Sequence, residues 1–65
     1  MNESIVSQLR SRRLELDLSQ REVAFKINST PQYISLIELG QANITLETLF
    51  KLCDVLSLEI KLEKV

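Results

Sequence analysis

The 65-residue chain has no histidine and no tryptophan, and it contains one cysteine, one glycine and one proline. Without histidine, and with Cys53 as the single thiol, it lacks the common zinc ligand sets and the Ser/His and Cys/His nucleophile pairs. We therefore expect no enzyme activity, no metal and no other cofactor. A lone cysteine also excludes an internal disulfide, which favours a reducing, cytoplasmic setting. We interpret Cys53 as a buried apolar residue, the alternative being a reactive thiol.

Long hydrophobic runs are also missing. No stretch has the length of a membrane span, and the first residues lack the apolar region of a signal peptide, so we expect no membrane association. A hydrophobic content of 45% argues against disorder. We expect a single domain over residues 1–65, and the small core that such a chain can bury favours a dimer.

The chain has no excess of positive charge, because it contains eight basic residues and nine acidic ones. Nucleic-acid binders are usually basic, but the placement of charge matters more than its sum. Arg10, Arg12 and Arg13 cluster near the end of the first predicted helix, and Arg21 begins the second. This cluster predicts a face that binds phosphates; the alternative is an ordinary solvated helix face.

Two short helices with clear start signals dominate the middle of the chain. Ser19 to Glu22 fits a capping box, and Thr30-Pro31 is an N-cap followed by proline at the first helical position. Asn28 suits the turn between them, and Gly40 suits the end of the second. Helices this short, joined by a tight turn, predict a helix-turn-helix over residues 20–39, whose second helix can enter the DNA major groove.

Flanking helices are predicted on both sides of this unit. The first runs from Glu3 to Leu16 and stops at Asp17. Its predicted buried face consists of Ile5, Val6, Leu9, Arg13 and Leu16. The fourth is capped by Thr45. Its apolar stripe consists of Leu46, Leu49, Phe50, Cys53 and Leu56.

The spacing of apolar residues changes from helical to alternating near the end of the chain. Leu58, Ile60 and Leu62 alternate with charged residues, which predicts a strand over residues 58–64. No second strand pattern exists in the chain, so we expect this strand to pair with its copy across a two-fold axis. The alternative is a tail that packs on its own domain or frays.

Residues 9–58 resemble the lambda Cro/repressor class of helix-turn-helix domains, also called the Xre family. The resemblance is carried by Arg13, by the pattern from Leu18 to Ile27, by Ile34 to Gly40, and by Thr45 to Leu49. It implies an all-α, compact, four-helix lambda-repressor-like domain that binds operator DNA, usually as a dimer. The predicted dimerisation strand would follow this domain.

The resemblance also implies roles for individual residues. The third helix matches the recognition helix, with Gln32, Tyr33, Ser35 and Leu36 facing the bases. Phosphate contacts are expected from Gln20, Arg10, Arg12, Pro31, Gln41 and Asn43. Arg13 and Glu38 match a pair that ties the first helix to the third. Two alternatives stay open. Gln20 is then only a polar residue in the first turn of the second helix, and Tyr33 covers the edge of the core and does not reach DNA.

The chain departs from the family pattern at several positions. Asp17, Asn28 and Ser57 stand where glycine is usual, and Leu39 stands where a polar or basic residue is frequent. The recognition helix has no arginine or lysine. Gln32 suits adenine and Leu36 suits a thymine methyl group, so we expect a preference for sites containing A·T pairs.

The alternating tail looks like the ending of antitoxins from HipA/HipB-type toxin–antitoxin modules. The leading hypothesis is therefore a dimeric, sequence-specific repressor that binds a palindromic operator, and an autoregulating antitoxin that also binds a toxin protein. One alternative is a phage-type or controller regulator without a toxin. Another is a scaffold that binds only protein, through Tyr33, Leu36 and Leu39.

Overall fold

The computed structural model of the protein describes residues 4–65 and contains four α-helices. In chain order these are α1 (Ile5–Glu15), α2 (Gln20–Lys26), α3 (Pro31–Glu38) and α4 (Leu46–Val55). The all-α, four-helix prediction is confirmed. Glu3, where the first helix was expected to begin, lies outside the described residues.

Every helix begins at a hydroxyl side chain that accepts a hydrogen bond from the backbone N–H three residues later. These N-caps are Ser4, Ser19, Thr30 and Thr45. At α2 the capping box is complete, because the Glu22 N–H donates to Ser19 Oγ at 3.0 Å and the Ser19 N–H donates to Glu22 Oε1 at 2.9 Å. Short-range hydrogen bonds therefore set where each helix starts.

Every helix is also followed in the same way, by a residue with positive φ two positions after its last residue. The residues are Asp17, Asn28, Gly40 and Ser57, with φ of 57°, 57°, 73° and 54°. After each one, the next backbone N–H reaches back five residues to a carbonyl, as from Ser29 to Ala24 at 2.8 Å and from Leu58 to Cys53 at 2.8 Å. The three residues that replace the family's glycines thus keep the left-handed conformation that glycine would take.

A small core lies where the four helices meet. Its buried residues are Leu9, Val23, Ala24, Ile27, Ile34, Ile37, Leu52, Cys53 and Leu56. Cys53 is buried, as the sequence predicted, and burial raises the pKa of its thiol. Because Ala24 is almost fully buried and has only a methyl side chain, α2 and α3 can approach closely at this point.

Four residues predicted to face the core are exposed instead. Ile5 and Leu16, at the two ends of α1, are 57% and 37% exposed, and Leu46 and Phe50 on α4 are 65% and 53% exposed. The physical reason is that the apolar stripe of α4 is wider than the surface that the other helices cover. Leu52, Cys53 and Leu56 fill that surface, and Leu46 and Phe50 lie outside the core that forms there.

The predicted C-terminal strand is absent from the single chain. Residues 58–65 have neither helix nor strand, and no strand is found anywhere in residues 4–65. A strand needs hydrogen bonds from a partner, and no other segment of the described chain offers them. Leu58 packs against the core, whereas Leu62 is almost fully exposed. Strand pairing between two copies therefore stays a prediction.

Candidate nucleic-acid interface

The unit formed by α2, the turn at residues 27–30 and α3 is held together from inside. Val23, Ala24 and Ile27 pack in one core with Ile34 and Ile37. These contacts use the inner faces of both helices. The opposite face of α3 is therefore left available to a ligand.

The structure places the predicted base-contact residues along the outer side of α3. Gln32 and Leu36 are exposed, and Ser35 is half-buried. Tyr33 is also half-buried and packs against the core, which agrees with the alternative in which it covers the core edge. Gln32 and Leu36 thus lie one helical turn apart on an accessible surface, as major-groove readers would need to.

Glu38, the last residue of α3, is the centre of a polar network behind this surface. Arg13 Nε donates to Glu38 Oε2 at 2.7 Å, and Arg13 Nη2 donates to Oε1 at 2.9 Å. The third guanidinium nitrogen, Nη1, donates to the carbonyl oxygen of Leu18 at 2.8 Å. This bidentate pair ties α1 to the carboxyl end of α3 and to the loop before α2.

Both members of the pair are protected from solvent. The side chains of Arg13 and Glu38 are 10% and 7% exposed. Burial alone would raise the pKa of Glu38, but hydrogen bonds from Arg13 and Gln20 outweigh it and leave that pKa below its usual value. The hydrogen bond with Glu38 in turn raises the pKa of Arg13, against the opposing effect of burial. The pair is therefore fully charged at neutral pH.

Two more residues from the predicted phosphate-contact set join this network. Gln20 Nε2 donates to Glu38 Oε1 at 3.1 Å, and Arg10 Nε lies 4.0 Å from the same oxygen. A side-chain amide has two N–H donors, so Gln20 keeps one for a phosphate oxygen. No local pattern predicts the contact between Gln20 and Glu38, because the two residues are 18 positions apart.

Arg12 lies elsewhere. Its Nε donates to the carbonyl oxygen of Leu56 at 2.9 Å, and its Nη1 lies 3.5 Å from Glu15 Oε1. The guanidinium therefore satisfies a free carbonyl at the carboxyl end of α4, where positive charge is stabilising. Its contact with a DNA phosphate stays a prediction, as do those of Arg10, Gln41 and Asn43, all three of which are exposed.

Sequence reasoning missed one exposed residue of α2. Phe25 is 86% exposed, and Arg21, one helical turn earlier, makes no ion pair with any residue that the structure describes. Two features of the sequence indicated this surface. Arg21 and Phe25 are four residues apart, which is one helical turn, and Phe25 falls outside the buried pattern of Val23, Ala24 and Ile27.

The comparison with known families agrees with this geometry. A family model described as helix-turn-helix matches residues 9–62, which is most of the chain. The chain belongs to the Xre-type helix-turn-helix family. The match supports DNA binding and transcription regulation as its function. None of the curated proteins gave a significant match.

The described residues of this helix-turn-helix protein contain neither a metal ligand set nor a membrane span. Within residues 4–65, no three His, Cys, Asp or Glu side chains come together as a metal ligand set. None of the four helices has the length and apolar character that crossing a bilayer requires, over the same described part of the chain.

Proposed function

We propose that the protein is a sequence-specific transcriptional repressor that binds a palindromic operator as a dimer. The observation that carries the proposal is the accessible face of α3, with Gln32 and Leu36 one turn apart and the Glu38 network bracing the helix from behind. A braced helix presents its side chains in one orientation, which sequence discrimination requires. We further propose that the protein has no catalytic activity and acts in the cytoplasm.

In this proposal, two groups of residues divide the work. Phosphate contacts set the position of the domain on the duplex and come from Gln20, Arg10, Arg12, Pro31, Gln41 and Asn43. Gln32 forms two hydrogen bonds with an adenine, and Leu36 contacts a thymine methyl group. With a two-fold axis relating the two copies, the half-sites lie about 34 Å apart, or one turn of DNA.

The test compares Gln32→Ala with Gln20→Ala by gel shift on the DNA upstream of the protein's own gene. We expect Gln32→Ala to reduce discrimination between operator and unrelated DNA by about tenfold, because it removes a base contact of roughly 1–3 kcal/mol. Gln20→Ala should weaken binding to all sequences alike. Equal loss on operator and unrelated DNA for Gln32→Ala would contradict the assignment. Absence of any salt-sensitive shift for the unaltered protein would overturn DNA binding itself.

Dimerisation is proposed to occur through the tail. An antiparallel pairing centred on Ile60 places Glu59 opposite Lys61 twice and Leu58 opposite Leu62, which are favourable cross-strand pairs. Leu58, Ile60 and Leu62 are then the dimer-strand residues. The exposure of Ile60 and Leu62 supports this pairing. So does a groove of about 230 Å³ between the tail, α1 and α4, since it leaves apolar surface uncovered.

We also propose, on the likeness of the tail to HipA/HipB-type antitoxins, that the protein represses its own operon and binds a toxin protein. Co-expression with the product of the adjacent gene tests this idea. The expected result is a stable complex and relief of toxicity. A neighbouring gene whose product neither binds nor harms the cell would leave a phage-type or controller regulator as the better description.

A protein-binding scaffold is the second candidate function. The observation that favours it is the apolar surface at the carboxyl half of α3, where Leu36 and Leu39 are 43% and 65% exposed. The two candidates differ in salt dependence, because phosphate contacts release counterions and apolar contacts do not. Binding of a protein partner that is insensitive to salt, without any DNA shift, would favour the scaffold.

A further inference from the structure

The α2 helix presents an aromatic ring and a free cation to solvent beside the recognition helix. Phe25 is 86% exposed, although packing a phenylalanine side chain away from water is strongly favourable. It takes no part in the core, whose α2 members are Val23 and Ala24. Phenylalanine is also a poorer helix former than alanine. Phe25 therefore contributes nothing to the core, and its ring is accessible to another molecule.

The surroundings of Phe25 indicate which contact. An open depression between α2 and the first turn of α3 is lined by Arg21, Ala24, Phe25, Ser29, Pro31 and Gln32. Gln32 is the residue proposed to read a base. A surface that includes both Phe25 and Gln32 is continuous with the proposed DNA interface, so it is within reach of a duplex that α3 would hold.

The charge of this surface fits a polyanion. Arg21 lies one turn before Phe25 on the same face and has no ion pair within residues 4–65. Glu22 is the one acidic neighbour, and its carboxylate accepts the Ser19 N–H at the start of the helix, which lowers its pKa. Lys26 adds a second positive charge beside Phe25, although it also lies near Lys51 and Asp54.

We propose that Arg21 and Phe25 form a second DNA-contact element at the edge of the major groove. Arg21 binds a backbone phosphate, and the Phe25 ring packs on the apolar part of the adjacent nucleotide, which is a deoxyribose or a thymine methyl group. This element supplies part of the positive charge that α3 lacks. The inference rests on the proposed function, since it assumes that α3 enters the groove.

The test measures operator binding by fluorescence anisotropy between about 50 and 200 mM salt, on a duplex defined by footprinting of the upstream DNA. Phe25→Ala is expected to weaken operator affinity about tenfold without changing the salt slope. Arg21→Gln is expected to lower the slope of log K against log salt by about 0.9 for each subunit bound. Duplexes with deoxyuridine in place of thymidine then separate the two apolar contacts: the Phe25 effect vanishes for a methyl contact and persists for a sugar contact.

The chain offers matched controls on α4, which lines neither depression beside Phe25. Phe50 is another exposed phenylalanine. Lys51 is another exposed cation, which lies near Lys26 and is paired with Glu47 at 3.7 Å. Phe50→Ala and Lys51→Gln should therefore leave operator affinity and salt slope unchanged. Because Phe25 is exposed, Phe25→Ala should also keep the thermal stability of the parent protein.

Two outcomes overturn the inference, and they are distinct from failure of the proposed function. If Phe25→Ala and Arg21→Gln bind the operator like the parent while Gln32→Ala loses discrimination, the DNA interface ends at α3 and a protein partner must cover Phe25. If the α4 controls weaken binding equally, the effect is general and not local to α2. If the parent protein binds no DNA at all, the proposed function fails first.

Discussion

Among single residues, Glu38 connects more parts of the fold than its position at the end of a helix suggests. One carboxylate accepts hydrogen bonds from Arg13 and Gln20 and lies within 4.0 Å of Arg10. The pair with Arg13 was implied by the resemblance, whereas the contact with Gln20 was not. A sequence shows which residue types can pair, but long-range pairing depends on how the helices cross, which no local pattern states.

The first prediction concerns the pH dependence of stability. Because the pKa of Glu38 is lower in the folded chain than the ordinary value of 4.5, its contribution is complete above that value and is lost as the pH falls through the folded pKa. We expect Glu38→Gln to lower the free energy of unfolding at pH 7 by about 3 kcal/mol and to flatten its fall as the pH drops below the ordinary carboxyl pKa of 4.5. Urea unfolding at several pH values measures both.

The control for Glu38→Gln is Glu15→Gln, which removes an exposed carboxylate paired with Arg12 at 3.5 Å. An exposed ion pair contributes little, so this variant should keep the parent's pH profile. A Glu38→Gln profile as steep as that of the parent would show that other groups cause the acid sensitivity.

A second prediction concerns the residues with left-handed backbone conformation that follow the helices. Ser57 has φ of 54°, a conformation that costs a non-glycine residue energy and glycine very little. We expect Ser57→Gly to raise the free energy of unfolding by about 0.5–1 kcal/mol. The same exchange at Ser11, inside α1, should lower it by about 0.5 kcal/mol, because glycine weakens a helix interior. Thermal unfolding of both variants, with shifts of opposite sign, is the measurement.

At the scale of the element, local rules account well for where the helices begin and end. Ser19, Thr30 and Thr45 act as N-caps and Gly40 ends α3, as the sequence predicted. These signals involve residues no more than five apart, so they can be recognised along the chain. The exposure of Leu46 and Phe50 could not be recognised in that way. Periodicity defines the apolar side of α4, but the covered part of that side depends on the size of the neighbouring helices.

The prediction at this scale tests the capping box of α2. Ser19→Ala removes the Oγ acceptor for the Glu22 N–H and keeps the backbone N–H of residue 19, which donates to the Glu22 carboxylate. We expect a loss of about 1 kcal/mol in the free energy of unfolding. Ser11→Ala, in the middle of α1, is the control and should be neutral or slightly stabilising because alanine is the better helix former. Urea denaturation of the two variants checks the difference, and an equal effect would mean that the cap contributes nothing measurable.

In the molecule as a whole, the four helices pack around one core, whereas the residues after Leu58 are exposed. Arg12 ties α1 to the end of α4 through the Leu56 carbonyl, and Leu58 packs on the core directly beyond it. Past that point, residues 59–65 are exposed. The alternating pattern shows that the tail suits a strand, but one chain cannot show whether a second copy provides the partner.

The prediction at this scale removes residues 59–65. We expect the four helices to remain folded, because Leu58 and the contact between Arg12 and Leu56 are retained. Dimerisation should weaken, since the proposed inter-chain strand is lost. Circular dichroism measures helix content and sedimentation velocity measures association. A truncated chain that sediments as the same dimer would place the interface elsewhere, and a point variant such as Ile60→Lys should then also be silent.

The single buried cysteine makes the opening of this molecule measurable by thiol modification. Cys53 lines the groove between α1, α4 and the tail. Because it is buried, we expect its thiol to react with an alkylating reagent only after that side opens. Because the sequence contains no other thiol, every modification occurs at Cys53, and the modification rate measures opening at that one position. If a second copy covers the groove, the rate falls as protein concentration rises. The chain thus contains its own reporter of association, and no added label is needed.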